Sequence, residues 1–209
     1  MKGLILKDLY MIKKHFRIYL LMTVVFLGVA LIDSGNTFFV FYPCIISGMI
    51  PVTLLAYDEQ AKWDVYAASL PCSRKQIVSV KYLIGLMIQI AVIALVALTQ
   101  GIKMAVTDLF SLEAYLDMIF MLVGISGVAS SMSLPLMFKQ GVEKGRIGYY
   151  VMIGVVAGGS AMLAGFWEGN MGNIRMPQLV APVMALVAAG IYSISWLLSI
   201  RFYEKRELR

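Results

Sequence analysis

The sequence predicts an all-α polytopic membrane protein with six transmembrane helices, an N-terminal interfacial amphipathic helix and a short polar helix on the cytoplasmic side. Hydrophobic residues fill 60% of the 209 positions and charged residues only 14%, against about a quarter charged in a globular chain; the mean hydropathy is +0.82. Apolar runs recur at close to the ~20 residues that cross a hydrocarbon core as a helix. Basic residues gather at the ends of those runs. Little is left for a soluble domain, so residues 1–209 read as a single transmembrane domain.

Residues 2–15 form the first element. Ile5, Leu9, Ile12 and Phe16 share one helical stripe that Lys2, Lys7 and Lys14 avoid, as in a basic helix lying in the interface with its lysines on anionic headgroups. The alternative is a charged extension of the first span. Lysines precede any long apolar run and no small-residue cleavage site follows, which is not the pattern of a cleaved signal peptide. His15, the single histidine, has nothing beside it to orient it as a ligand or proton carrier.

The spans are expected at about 16–32, 38–57, 82–102, 118–138, 147–167 and 179–199, with no Asp, Glu, Lys, Arg or His in their apolar interiors. Pro43, Pro51, Pro135 and Pro182 should kink these helices without breaking them, because packed neighbours can satisfy the freed carbonyls. Gly124, Gly127 and Ser131, then Gly154, Gly158, Ala161 and Gly165, let backbones approach closely, and packing within the bundle is the simplest use of them. Cys44 and Cys72 have neither metal-ligand spacing nor a common compartment and should be free thiols.

Orientation follows from the basic residues. With the N-terminus inside, 16 of the 18 Lys and Arg are cytoplasmic, leaving only Lys103 and Arg175 outside, so both termini and the 57–82 stretch face the cytoplasm. The outer connections are a tight turn at 33–37, a short link at 106–117 that could form an interfacial helix through Leu109, Leu112 and Leu116, and 165–178. The last mixes Gly, aromatic, Met and Pro residues, as either a partly re-entrant connection or an ordinary loop.

The 57–82 stretch is the longest polar interruption, with Asp58, Glu59, Lys62, Asp64, Arg74, Lys75 and Lys81. Over 58–70, Trp63, Tyr66, Ala67 and Leu70 recur at helical spacing opposite Glu59, Gln60, Lys62 and Asp64. Pro71 should end this helix and Ser73 cap the next, which enters the membrane from Arg74. The segment is either a docking element or a loop on the headgroups.

Several chemistries are excluded. The spans hold no serine–histidine pair, no paired aspartates and no zinc-site pattern. Gln89 is the only strongly polar side chain near a span centre, which disfavours ion-coupled transport. No phosphate-cradling G-x-x-x-x-G-K-[ST] occurs, so any uphill transport takes its energy from another chain. The positive charge lies at membrane edges and does not point to nucleic acid.

The opening MKGLILKDLYMIKK resembles the interfacial helix of ABC-2 type permease subunits. YDEQAKWDVYAASLPCSRKQIVSVKYLIG is similar to the segment between their first two hairpins, and the layout resembles small Gram-positive permeases that include phenol-soluble modulin exporters. Cys72 stands where a small apolar residue is common. The resemblance implies a permease in the bacterial plasma membrane that pairs with a second copy or a sister permease. It implies two cytoplasmic ATPase subunits, with ATP and Mg bound there and no cofactor in this chain. It also implies a coupling helix at 58–70, with Asp58, Glu59, Lys62, Trp63, Tyr66 and Leu70 as its ATPase-coupling residues. The cargo would be amphipathic or hydrophobic peptides or toxic compounds. The competing reading is a non-transporting membrane protein, an immunity factor or assembly partner.

The orientation is testable with single cysteines in a Cys44- and Cys72-free background. An impermeant thiol reagent applied to intact cells should label a cysteine replacing Asp108 and spare those replacing Lys75 and Lys144. Labelling at position 75 would invert the topology.

Overall fold

The computed structural model describes residues 2–32, 38–69, 73–108, 111–144, 147, 150 and 180–205. The named elements are all helices: α1 (Lys2–Ile32), α2 (Phe38–Gly48), α3 (Ile50–Gln60), α4 (Trp63–Ala68), α5 (Arg74–Val106), α6 (Leu112–Gln140) and α7 (Val180–Lys205). Among the described residues, four stretches are long and apolar enough to cross a membrane: Phe38–Gln60, Arg74–Val106, Leu112–Gln140 and Ala181–Lys205. A fifth joins them if the two arms of α1 count as one span. The span expected at 147–167 and the connection at 165–178 lie outside the described residues except for Ile147 and Tyr150. So do the turn at 33–37, Gly154, Gly158, Leu70, Pro71 and Cys72.

In α1, Gly3–Lys13 and Arg17–Ile32 meet at 61°, so the bend falls at the expected boundary between surface helix and span. The face turned inward is not quite the expected stripe. Leu4 and Asp8 are buried, Ile5 and Ile12 are half-buried, and Leu9 is exposed.

The prolines behave in different ways. Met49 interrupts α2 and α3, and Pro51 stands in the first turn of α3, where a missing N–H costs least, within one 23-residue apolar stretch. Pro135 lies inside α6 and deprives the Ser131 carbonyl of its helical donor. The Ser195 hydroxyl of α7 donates to that carbonyl at 2.6 Å. Pro182, expected to kink the last span, lies two residues after Val180, where the described helix begins.

Helix α6 packs on α7 along a small-residue seam. Gly124 faces Met184 and Gly127 faces Ala188, Ser131 meets Ser195, and the Phe138 and Tyr203 rings meet edge to face at 5.5 Å. Positions rise together on both helices, so the two run parallel, and Gln140 and Val180 stand at opposite ends of the pair. Buried Ala181, Ala185, Ala188, Tyr192, Ser195 and Ser199 alternate steps of four and three, the spacing of a knobs-into-holes seam. Tyr82 of α5 joins this seam. Its hydroxyl lies 2.7 Å from both Ser195 Oγ and Ser199 Oγ, and its ring stacks on Trp196. The internal use expected of Gly124, Gly127 and Ser131 is therefore observed.

Gln89, alone and apolar-surrounded in the sequence, donates from Nε2 to the Ser126 carbonyl and the Ser130 hydroxyl of α6. At the other end of the bundle from α4, Lys103 donates to the Ala30 carbonyl in the last turn of α1, a favourable place for a cation. Among the described residues of the short link there, the helix expected through Leu109, Leu112 and Leu116 is not a separate one. Leu112 and Leu116 belong to α6, which Ser111 caps through the Ala114 N–H, and Leu109 lies outside the described residues.

A close approach of α5 to α3 yields a stability test. A Cβ at Gly85 would stand 2.7 Å from Pro51 Cγ, whereas one at Gly190 meets nothing within 4 Å. Gly85→Ala should destabilise by about 1–3 kcal/mol. Gly190→Ala should be neutral or slightly stabilising. Melting in detergent, followed by loss of the monodisperse chromatographic peak, measures both, and equal midpoints for the two variants would contradict the packing.

Candidate functional site

Helix α3 carries Asp58 to one end of the bundle, where α1 and the start of α5 converge on it. Lys7 Nζ lies 2.7 Å from Asp58 Oδ1 and 3.3 Å from Asp8 Oδ1. Lys81 Nζ lies 2.6 Å from Asp58 Oδ2 and 2.8 Å from Asp8 Oδ2. Two cations and two anions thus alternate around a closed ring of contacts. Asp8, Asp58 and Lys81 are buried and Lys7 is partly so. Each carboxylate is charge-balanced, the condition on which ions tolerate removal from water.

The polar segment is shorter and more broken than the helix expected over 58–70. Asp58, Glu59 and Gln60 form the last turn of α3. Ala61 and Lys62 then make a turn, with Lys62 left-handed at φ 50°, before the six residues of α4. Nothing in Gln60-Ala61-Lys62 is a turn signal. The break is held from outside, by Asp58 between two lysines and by Trp63, whose ring lies 4.0 Å from Lys7 Nζ in a cation–π contact.

The sequence-predicted residues therefore separate. Asp58 is internal, in the ion ring. Glu59 is exposed, yet its Oε2 accepts the Val142 backbone N–H at 2.7 Å, just past the end of α6. Lys62 is exposed at the turn. Trp63 packs against the chain's own core, with its ring centroid 5.2 Å from that of Tyr66. Ala67 is buried, whereas Val65 and Tyr66 are 59% and 58% exposed. Leu70 lies outside the described residues. The apolar face expected to be continuous is thus split, Trp63 and Ala67 rooting α4 while Tyr66 turns outward beside Val65.

Behind α4 the bundle is tied together. Ser73 and Gln76 form a reciprocal capping box at the start of α5, as expected for the Ser73 cap. Arg74 donates from Nη1 to the Glu204 carbonyl at 2.8 Å, with Tyr203 O at 3.4 Å, capping the end of α7. Sequence reasoning missed Asp8, read Lys7 as a headgroup-facing lysine when it turns to Asp58 and Asp8, and read Lys81 only as a topology marker. The available signal was an acidic residue, Asp8, four positions from Leu4 on the inward face of an otherwise basic helix.

Among the described residues no group of three or more His, Cys, Asp or Glu could hold a metal ion. A family model described as an ABC-2 family transporter protein matches residues 3–204. No curated protein and no solved structure matches the chain significantly.

The ion ring makes a distinctive mutational prediction. Lys81→Met leaves two buried carboxylates facing Lys7 alone and should cost about 3–5 kcal/mol. Adding Asp8→Asn leaves the balanced Lys7–Asp58 pair and should recover much of the loss. Thermal midpoints in detergent report both, and a double variant no better than the single would argue against charge balance as the stabilising feature.

Proposed function

The chain belongs to the ABC-2 family of transporter proteins, and from that premise we propose that it is the permease subunit of an ATP-driven exporter whose α4 docks a separate cytoplasmic ATPase. Transport is its family role. The observation that carries the docking assignment is α4 itself. Its base is anchored by Ala67 and by Trp63 over Lys7, while Val65 and Tyr66 project apolar surface outward next to the exposed Lys62. This helix lies at the end of the bundle where the basic residues of α1, α5 and α6 also gather, the end that the basic-residue count assigns to the cytoplasm. Exposed Tyr and Val on a firmly rooted helix suit a protein partner, since buried aromatic anchors dominate interface energies.

In this reading the chain binds no nucleotide; ATP and Mg belong to two ATPase subunits, and a second permease copy or a sister permease completes the pathway. The assembly sits in a bacterial plasma membrane with both termini inside, and its cargo is amphipathic or hydrophobic peptides or toxic compounds. A non-transporting immunity or assembly protein has no need of a rooted docking helix.

The purified permease should hydrolyse no ATP, since its sequence holds no phosphate-cradling loop. Tyr66→Asp should lower retention of the ATPase during purification by tenfold or more, from loss of an anchor worth about 2 kcal/mol, without changing the amount of permease in the membrane. Trp63→Ala should also weaken retention, with a lower thermal midpoint because Lys7 loses its aromatic neighbour. Full ATPase retention and wild-type export by Tyr66→Asp at matched expression would remove α4 from the interface.

A further inference from the structure

A load placed on α4 reaches α1 directly where Trp63 covers Lys7, and along the chain it passes through the turn at Ala61 and Lys62 into the last turn of α3. There the chain carries two carboxylates in succession. Consecutive residues of a helix point about 100° apart, so neighbouring side chains can grip different parts of the bundle. Asp58 reaches inward to Lys7 of α1 and Lys81 of α5, at 2.7 and 2.6 Å. Glu59 reaches sideways, 83 positions along the sequence, to the Val142 N–H at 2.7 Å.

That N–H opens a new helical turn. Gly141 ends α6 at φ 84° and ψ 170°, a backbone region essentially restricted to glycine, and residues 142–144 are again helical. The first amides of a helix have no intrahelical acceptor. Val142 is buried, so this N–H needs a partner within the protein, and the partner comes from another helix as the Glu59 carboxylate. A crevice of about 410 Å³, lined by Ala56, Glu59, Gln60 and residues 140–144, lies between the two elements. Glu59 thus ties α3 to the end of α6 at the rim of this crevice. The ion ring ties α3 to α1 and α5 in a similar way, and buried ion pairs add little net stability over apolar packing, their best-attested use being to fix register or a switch.

We infer that Asp58 and Glu59 are positioning residues that divide a movement of α4 between two routes. Asp58 passes it to the N-terminal arm of α1 and to α5, through Lys7 and Lys81. Glu59 passes it to the turn between α6 and the segment that opens at Val142. The inference rests on α4 being the loaded element, as proposed above, and it gives both carboxylates an internal task that requires no contact with the ATPase.

The test loads α4 without any ATPase. Tyr66→Cys, in a background carrying Cys44→Ala and Cys72→Ser, is coupled to maleimide-biotin and loaded with streptavidin. Hydrogen exchange is then followed in residues 4–11 and 140–144. Loading should change exchange at both places by roughly threefold or more. Glu59→Met, which removes the acceptor for the Val142 N–H, should abolish the change at 140–144 and keep it at 4–11, and Asp58→Asn should weaken the change at 4–11 and keep that at 140–144. If Asp58→Asn does not fold, Glu59→Met, altering an exposed side chain, decides alone. Transmission to 140–144 unchanged by Glu59→Met, or no load response in the parent protein, would overturn the inference. If the two routes separate while Tyr66→Asp still retains the ATPase, the docking assignment fails and the two routes stand.

Discussion

The alternating ring of Lys7, Asp58, Lys81 and Asp8 is the constraint on which the polar end of this protein depends. Three parts of the chain far apart in sequence, the arm of α1, the end of α3 and the start of α5, each bring charges that could not be buried alone. Taking one such ion out of water costs several kcal/mol even after relaxation, so no member can be buried without an opposite charge beside it. The ring thereby fixes where α3 ends, how the N-terminal arm lies, and where Trp63 finds the cation that roots α4.

A second, uncharged constraint holds the rest. Along α6 and α7 the close approach of Gly124 and Gly127 removes side chains that would separate the helices, and hydroxyls supply the bonds that a membrane interior cannot. Ser195 meets the carbonyl freed by Pro135, and Tyr82 links that serine to α5. The seam and the ion ring share α5, since Lys81 and Tyr82 are neighbours on it. Apolar contacts between helices gain little from lipid, whose tails are equally apolar. Packing and satisfied polar groups are therefore the natural source of specificity here.

Much of the helical layout was legible in the sequence because it is written in local signals. Apolar run length marked helices at α1 to α3 and at α5 to α7, Ser73 and Gln76 marked the start of α5, and small residues marked the α6 seam. The ring was not legible, because its partners lie up to 73 positions apart and neither helical periodicity nor the basic-residue count pairs a charge with a distant one. For the same reason Asp58 and Glu59, adjacent and both acidic, are grouped as coupling residues by the resemblance when they serve two different neighbours. Trp63 was read as part of an outward anchor, since spacing alone does not tell a ring over Lys7 from one offered to a partner. The break at Lys62, lacking any Gly, Pro, Asn or Asp, is likewise imposed by tertiary contacts.

The central claim is that α4 is where this permease meets its energy source. It is tested most directly by site-specific photo-crosslinking in native membranes, with a photoreactive residue at position 66 and, as a comparison, at the exposed α7 position Leu186. The account predicts an adduct of permease plus ATPase from position 66 and none from position 186. An ATPase adduct from neither position, with lipid captured at both, would contradict it.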